Sequence, residues 1–207
     1  MVLISEIRTV RSFCCIVLDN GEQYWLRRND LACTEFREGS SFEPETFKEQ
    51  IRLLQYPRAL NHAVSMLARR PCSKKEIMNR LIRLRYSEDT AELVLYKLEK
   101  EHLVDDAEFC EQWIRFRLAR HTGSAVIRRE LKIRGIPEEM ISSALDRLDP
   151  EDEQRNAVSL ALKMMKRYCS EPDNLKRRRK VIESLVRKGY DWDTARAACE
   201  TAEQETE

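Results

Sequence analysis

Apolar residues in the first 56 positions recur with a period of two, which is typical of β-strands with one buried face. Two such segments, Phe13 to Leu18 and Tyr24 to Leu26, are separated by Asp19-Asn20-Gly21. Because Asn-Gly favours the positive φ angles of a tight primed turn, the pattern predicts a β-hairpin. Ile4 to Val10 is a candidate third strand.

Two further segments of this region, Asp30 to Phe36 and Glu45 to Leu54, have the residue pattern of short helices. We therefore expect residues 1–56 to form a small α/β unit that contains the β-hairpin. The unit has seven basic and nine acidic residues, a net charge of −2. A polyanion is not expected to bind there.

From Tyr56 onward the apolar period changes to 3.6 residues, and nine helices are predicted between Pro57 and the C-terminus. Ser73 and Glu76 form a capping box, the signature of a helix N-terminus. Glycines suited to helix C-termini and prolines suited to first turns recur along the region: Gly135, Gly189, Pro137 and Pro150.

The nine helices fall into three sets of three, because six apolar positions recur in register three times. Equivalent positions are separated by 50 residues and then by 54. We interpret them as the cores of three helical repeats, 57–104, 105–149 and 150–207. The repeated positions are Ile77, Leu81, Tyr86, Ala91, Leu95 and Leu98; Ile127, Leu131, Ile136, Ile141, Leu145 and Leu148; and Val181, Leu185, Tyr190, Ala195, Cys199 and Ala202.

The predicted fold is mainly α-helical, with three tandem three-helix repeats preceded by the small α/β unit. Repeats that each leave an apolar flank exposed must stack on their neighbours, so we expect an elongated, curved array. The chain has only five glycines and six prolines, which agrees with a protein built mostly from regular structure.

The formal net charge of +1 conceals a charge pattern that follows the repeats. The second helices are basic, and each basic stretch has a net charge of +6: Arg69–Arg85, Arg115–Arg134 and Lys163–Lys180. The third helices are acidic, in the stretches Ser87–Glu111, Gly135–Glu153 and Gly189–Glu207. Stacked repeats would therefore line up three basic stretches along one side of the molecule.

A single basic stretch is usually a solvated surface, but three equivalent stretches indicate a binding surface. Such a surface fits a polyanion or a long partner with a repeat of its own. Few aromatic residues lie within it, the candidates being Trp113, Phe116 and Tyr168. Base stacking is therefore expected to be secondary to phosphate contact.

Motifs for catalysis and metal binding are missing from the sequence. It contains no Walker loop, dinucleotide fingerprint, His-Glu-x-x-His or Gly-x-Ser-x-Gly. The spacing of His102 and Cys110 matches no common zinc pattern. Asp105-Asp106 is better explained as a helix N-cap than as a pair of catalytic carboxylates. We expect no catalytic residues, no metal and no cofactor.

The seven cysteines form an odd set without Cys-x-x-Cys spacing, and no signal peptide precedes them. Reduced thiols and a cytoplasmic location are therefore expected. The longest apolar run, Phe13 to Leu18, has six residues. A membrane helix needs about 20, so no membrane association is expected.

The central repeat resembles the RecX family of bacterial recombinase regulators. The resemblance runs through residues at fixed spacing: Leu103, Asp105, Asp106, Phe109, Ile114, Arg117, Gly123, Ile127, Glu130, Leu131, Gly135 and Ile136. Similar patterns occur in the third repeat (Arg179, Leu185, Arg187, Gly189, Tyr190) and in the first (Ala63, Leu67, Arg69, Ser73, Glu76, Leu81). The sequence departs from the family at Arg85, where members often have glycine, and the N-terminal hairpin unit occurs only in some members.

The resemblance implies a protein that binds the RecA filament on single-stranded DNA. It would lie in the groove of the filament and restrain it, by hindering its extension or by favouring its disassembly. Strand exchange and co-protease activity would then fall, so the resemblance implies an inhibitor that acts in DNA repair, homologous recombination and the SOS response. We expect the protein to be a monomer. Two alternatives remain: a stand-alone protein whose basic helices bind duplex DNA, and a helical adaptor that binds only protein.

We assign the contacts with DNA and the filament to basic residues of the second and third repeats, where they are densest on adjacent helical turns. These residues are Arg115, Arg117, Arg120, Arg128, Arg129, Lys132, Lys176, Arg177, Arg178 and Arg179. Some of them are expected instead to pair with the acidic third helix of the neighbouring repeat. A chain that begins near Tyr56 is expected to stay helical and to retain DNA affinity.

Overall fold

The computed structural model describes residues 1–205, with only the backbone of Pro150. The last two residues of the predicted third repeat, 206 and 207, lie outside the described residues. The chain forms two compact units, Met1–Asp105 and a second that begins at Asp106. The first holds the N-terminal sheet and the first repeat, and the second holds the other two repeats.

The N-terminal sheet contains the predicted hairpin, the predicted third strand and one further short strand. Its elements are β1 (Val2–Val10), β2 (Phe13–Leu18), β3 (Gln23–Arg27), α1 (Arg28–Ala32) and β4 (Ser41–Phe42). The strand order is β3-β2-β1-β4, and all pairs are antiparallel. Helix α1 begins and ends earlier than the predicted helix from Asp30 to Phe36, and Phe36 instead lies fully buried beneath the sheet.

The hairpin turn differs from the predicted primed turn, because only Gly21 has a positive φ, of +86°. The Gly21 amide donates to Leu18 O at 3.0 Å, and the Leu18 amide donates to Glu22 O at 2.9 Å. The Asn20 side chain accepts from the Glu22 amide at 3.0 Å and supports this conformation. The connection is therefore a longer loop that ends in a glycine bulge.

Helix α2 (Pro44–Leu67) is one continuous helix of 24 residues, although two helices separated near Pro57 were predicted. Its buried positions recur every four residues along the whole length: Phe47, Ile51, Gln55, Ala59 and Ala63. This continuous buried face offsets the proline penalty of about 3 kcal/mol inside a helix. The predicted boundary between residues 56 and 57 therefore lies within α2. A chain that begins near Tyr56 would lack the first half of this helix.

The sheet and the first repeat are joined through buried Gln55 at the middle of α2. Its Nε2 donates to Trp25 O at 2.8 Å, and its Oε1 accepts from the Ser87 amide at 2.8 Å and the Ser87 hydroxyl at 3.0 Å. Arg58 pairs with Asp30 beside this contact. One polar side chain thus satisfies backbone groups of both parts of the first unit.

Nine helices from α2 onward form three sets of three within the described part of the chain, as predicted. Of the eighteen repeated apolar positions, all are buried except Tyr86 and Leu148, which are partly buried. The remaining helices are α3 (Lys74–Arg83) and α4 (Glu88–Lys100); α5 (Asp106–Leu118), α6 (Ser124–Ile133) and α7 (Glu138–Leu145); and α8 (Pro150–Arg167), α9 (Asn174–Arg187) and α10 (Trp192–Gln204).

The second helix of each repeat ends in the same turn. The amides of Tyr86, Ile136 and Tyr190 donate to the carbonyl five residues earlier, at 3.2, 3.1 and 3.3 Å. Gly135 and Gly189 have the positive φ that this turn requires, as predicted, and Arg85 adopts it too, with φ of +69°. The Arg85 guanidinium lies 3.9 Å from the centre of the Trp25 ring, a contact that offsets the backbone strain.

The remaining predicted helix boundaries are largely confirmed. Ser73 caps α3 by accepting from the Glu76 amide at 3.2 Å, and Pro150 is the first residue of α8. Pro137 lies one residue before the start of α7 and is its N-cap, so it is not a first-turn proline.

The second and third repeats are joined where the start of α6 meets the end of α9. The Gly123 amide donates to Lys188 O at 2.9 Å, and the Ala125 amide donates to Gly189 O at 3.2 Å. The Ser124 amide donates to Glu153 Oε1 at 3.2 Å. The free amides at the first turn of α6 are therefore bonded by groups of the third repeat.

This joint requires glycine at position 123. A Cβ there would lie 2.3 Å from Gly189 C and 2.4 Å from Tyr190 N, far closer than atoms can approach. The φ of Gly123 is −74°, which any residue adopts. The requirement therefore comes from the close approach of two backbones, with no contribution from backbone strain.

We expect Gly123→Ala to lower the free energy of unfolding by about 1–3 kcal/mol, because the added methyl group forces the two repeats apart. Urea denaturation monitored by circular dichroism measures this change. Ser124→Ala is the matched control, since it adds no atom and keeps the hydrogen bond from the backbone amide to Glu153. It should stay within about 0.5 kcal/mol of the unmodified protein. Equal stability of all three proteins would show that the joint does not require glycine at position 123.

Candidate nucleic-acid interface

The ten predicted contact residues all lie in the second unit, on α5, α6 and α9 or just after them. Arg115 and Arg117 are on α5, and Arg120 is in the turn that follows it. Arg128, Arg129 and Lys132 are on α6, and residues 176–179 form the first turns of α9. The structure separates them into residues held by acidic partners and residues without such partners.

Arg117 belongs to the packing of α5 against α6. It donates to Glu130 Oε1 at 2.6 Å, and both side chains are only 22% exposed. Trp113 Nε1 donates to the other oxygen of the same carboxylate at 3.1 Å. Because Glu130 binds both side chains, Arg117 is a structural residue in this arrangement.

Arg128 and Lys132 both pair with Glu138 at the start of α7. Lys132 Nζ lies 2.8 Å from Glu138 Oε2, and Arg128 also donates to Ser142 Oγ at 2.9 Å. The hydrogen bond from Lys132, together with the Arg128 guanidinium, lowers the pKa of Glu138 below its usual value. Glu138 therefore stays ionised and neutralises part of the basic surface.

Arg178 is held in the same way in the third repeat, by Glu200 at 2.5 Å and Glu203 at 3.5 Å on α10. These acidic partners lie in the third helix of the same repeat, and Lys74 of α3 likewise pairs with Glu99 of α4. The prediction that such pairs join neighbouring repeats was therefore wrong. The second and third helices of one repeat are adjacent in the chain and in space, which brings their opposite charges together first.

Four of the ten have no ion-pair partner among the residues that the structure describes: Arg115, Arg120, Arg129 and Arg177. Arg115, Arg120 and Arg129 are exposed to solvent, and Arg177 is partly exposed. Exposed guanidinium groups keep their donors available for an external acceptor such as phosphate.

Lys176 and Arg179 are highly exposed, at 71% and 79%, and pair only within their own helix segment. Lys176 lies 3.7 Å from Asp173, and Arg179 lies 2.9 Å from Glu183. Exposed pairs of this kind contribute at most about 1 kcal/mol and exchange readily with a ligand. Lys176 lies in the first turn of α9, where the positive end of the helix dipole adds to its charge.

Two structural features near these residues were not predicted from the sequence. Lys166 of the basic stretch Lys163–Lys180 lines a depression of about 460 Å³ together with Arg177 and Glu203. The second feature is stacking between arginine and aromatic side chains on α5, where the Arg120 guanidinium lies 4.1 Å from the centre of the Phe116 ring. The i, i+4 spacing of Phe116 and Arg120 was the sequence signal for it.

The buried titratable groups of the second unit are structural. Burial raises the pKa of the Cys199 thiol to about 11 and raises the pKa of Tyr190 well above its usual value. Both residues occupy repeated core positions and stay uncharged at neutral pH. In the described part of the chain, no three histidine, cysteine or acidic side chains lie close enough together to hold a metal ion.

None of the described helices combines the length and the apolar character that crossing a membrane requires.

Three family models match the helical part of the chain, and each covers one repeat. The models are described as the first, second and third three-helix domains of RecX, and they match residues 59–98, 105–145 and 151–199. Each range overlaps one of the three sets of helices; the first begins within α2 and the third ends within α10.

Curated proteins named regulatory protein RecX are similar to this chain. The protein of Mycolicibacterium smegmatis is 32% identical over 157 residues, which are 74% of this chain and 79% of that protein. The protein of Chromohalobacter salexigens is 34% identical over 144 residues, which are 70% of this chain and 92% of that protein. That of Listeria monocytogenes is 26% identical over 92% of this chain and 71% of its own length.

Solved structures show the same fold. A crystal structure of regulatory protein RecX matches with a TM-score of 0.64 over 99% of this chain and all of that one, at 24% identity. The crystal structure of RecX from Lactobacillus salivarius also has a TM-score of 0.64, over 72% of this chain and 97% of that one. With three matching domain models and relatives more than 30% identical over most of their length, this chain belongs to the RecX family of regulatory proteins.

Proposed function

We propose that this protein binds the RecA recombinase filament on single-stranded DNA and inhibits its recombinase and co-protease activities. Membership of the family supports the regulatory role. The observation that supports DNA contact is the set of exposed arginines without acidic partners on α5, in the turn after it and on α6: Arg115, Arg120 and Arg129. The exposed basic residues of α9 extend this set. Its seven cysteines are all free thiols, which fits a cytoplasmic regulator of DNA repair and recombination.

The division of the basic residues supports phosphate binding in the second unit. Arg117, Arg128 and Arg178 hold their helices through acidic partners, so their neighbours Arg115, Arg129 and Arg179 present charge on a fixed surface. A phosphodiester chain that binds such a surface releases counterions, and binding is therefore sensitive to salt. Contacts with the recombinase itself are less sensitive, because ions screen apolar and hydrogen-bonded contacts weakly.

The two contributions can be separated by salt titration. If three to six basic side chains reach phosphates, the log-log salt slope for naked single-stranded DNA should lie between about −2 and −4. Binding to the assembled RecA filament should be tighter and should have a shallower slope. Fluorescence anisotropy with a labelled oligonucleotide, with and without recombinase, measures both. Equal slopes and equal affinities would favour a stand-alone DNA-binding protein, and binding to recombinase alone would favour a protein adaptor.

Arg115 and Arg117 of α5 form a matched pair for testing the assignment. Arg115→Ala should weaken binding to single-stranded DNA and reduce the salt slope by about 0.7, the share of one phosphate. Its stability should stay within about 0.5 kcal/mol of the unmodified protein. Arg117→Ala should instead lower the free energy of unfolding by about 1–2 kcal/mol, because it leaves Glu130 without its ionic partner. Urea denaturation and fluorescence anisotropy measure the two effects. If Arg115→Ala lowers the stability, or if Arg117→Ala weakens DNA binding and leaves the stability unchanged, the division into structural and contact residues is wrong.

Glu138 offers a test in the opposite direction. Glu138→Gln should raise the affinity for single-stranded DNA by up to about fivefold at low salt, because it releases Arg128 and Lys132 from an exposed ion pair. Glu139→Gln is the control, since it removes the same charge from an exposed neighbour that has no ion pair among the described residues. If both variants raise the affinity equally, the gain comes from net charge, and Arg128 and Lys132 do not reach DNA.

A further inference from the structure

One face of α5 carries a row of aromatic side chains, and an arginine in the turn after α5 extends this row. Phe109, Trp113 and Phe116 of α5 and Arg120 of the turn after it follow one another at spacings of four, three and four residues. The spacing places the three aromatic side chains on the same side of the helix, and the Arg120 guanidinium lies over the Phe116 ring. Exposure rises along the row, from 4% for Phe109 to 44% for Phe116. The row therefore begins in the core of the second repeat and ends at the surface.

The side chains of this row contact one another through their rings. The centres of the Phe109 and Trp113 rings are 6.0 Å apart with an angle of 18° between planes, and those of Trp113 and Phe116 are 5.7 Å apart with an angle of 44°. Two guanidinium groups cover ring faces. Arg134 lies 3.7 Å from the Trp113 ring centre, and Arg120 lies 4.1 Å from the Phe116 ring centre.

The inner end of the row is fully engaged within the protein. Trp113 Nε1 donates to the Glu130 carboxylate at 3.1 Å, and Arg134 donates to Glu130 O at 3.0 Å. Glu130 thereby fixes Trp113 and Arg134, which form the inner stack of the row. This part of the row is structural and provides a rigid base for the exposed end.

The exposed end consists of Phe116 and Arg120, which we call the outer stack. Both side chains are exposed, and the Arg120 guanidinium forms no hydrogen bond or ion pair with any residue in the described range. Contact with the ring covers one face of the planar guanidinium. Its other face and its N–H edges remain directed at solvent.

We propose that the outer stack, Phe116 with Arg120, binds an unpaired nucleobase of single-stranded DNA. This inference rests on the proposed function and specifies how the strand is bound. A guanidinium is planar and weakly hydrated, so a base stacks on its free face while its edge donates to the adjacent phosphate. Stacking on the Phe116 ring already holds Arg120 in place, which reduces the conformational entropy lost on binding.

The same geometry selects single strands over duplex. Both faces of a base inside a duplex are covered by neighbouring bases, and only an unstacked base offers a face to Arg120. Every base has such a face, so the outer stack tolerates any sequence. This contribution adds to the phosphate contacts, to which base stacking was expected from the sequence to be secondary.

The test compares two oligonucleotides that differ only in their bases. Binding of the full chain to a thymidine 12-mer and to a 12-mer of the same backbone with abasic sites at all internal positions is measured by fluorescence anisotropy at fixed salt. We expect the thymidine strand to bind at least about fivefold more tightly, the smallest effect attributed to one stacked base.

Arg120→Ala and Arg129→Ala form the matched pair, because each removes one exposed arginine and only Arg120 contacts a ring. Arg120→Ala should abolish the preference for the thymidine strand. Arg129→Ala should weaken binding to both strands and leave their ratio unchanged. Arg120→Lys keeps the charge but loses the planar group, and it should also lose the preference while it keeps affinity for the abasic strand. Phe116→Leu should lose the preference without any change in charge.

The outcomes separate this inference from the proposed function. Equal binding of the two strands by the unmodified protein overturns the outer stack and leaves phosphate contact standing. No binding to either strand, or to the filament, overturns the proposed function as well. If Arg129→Ala removes the preference and Arg120→Ala does not, base stacking occurs elsewhere and the assignment to Phe116 and Arg120 is wrong.

Discussion

The close contact between Gly123 and Gly189 is the constraint on which the arrangement of the second unit depends. A Cβ on Gly123 would lie 2.3 Å from Gly189 C, and a Cβ on Gly189 would lie 2.7 Å from Val126 N, so both positions require glycine. The close approach lets amides at the start of α6 donate directly to the carbonyls at the end of α9. Glu153 of α8 completes the cap at Ser124. The two repeats therefore share the hydrogen bonds that would otherwise be lost at a helix end.

This joint also fixes the surface that we assign to DNA. Because α6 starts at the joint and α9 ends there, the basic residues on both helices belong to the same compact unit. In the second and third repeats the acidic third helix neutralises part of the basic second helix, through Glu138 and Glu200 respectively. The charge available to a partner is consequently smaller than the +6 of each basic stretch, and it is concentrated on the arginines without acidic partners.

The fold was largely predictable because several independent sequence signals indicate the repeat. Apolar spacing, capping residues and helix-ending glycines all indicated the same three sets of helices, and local signals that agree with tertiary packing are reliable. The errors occurred where tertiary contacts outweighed a local signal. Burial along the whole of α2 overcame the proline at position 57, and the Trp25 contact holds Arg85 in a conformation that usually requires glycine.

The sequence by itself determined the repeats, the alternation of charge and the family resemblance, because each depends on the spacing of residue types along one chain. Only the tertiary structure decided which arginines have acidic partners and which aromatic rings carry a guanidinium. Two residues that look alike in the sequence, Arg115 and Arg117, face different surroundings since they point to different sides of α5. Whether a charge is available for binding depends on atoms within a few ångströms, and those atoms come from distant parts of the sequence.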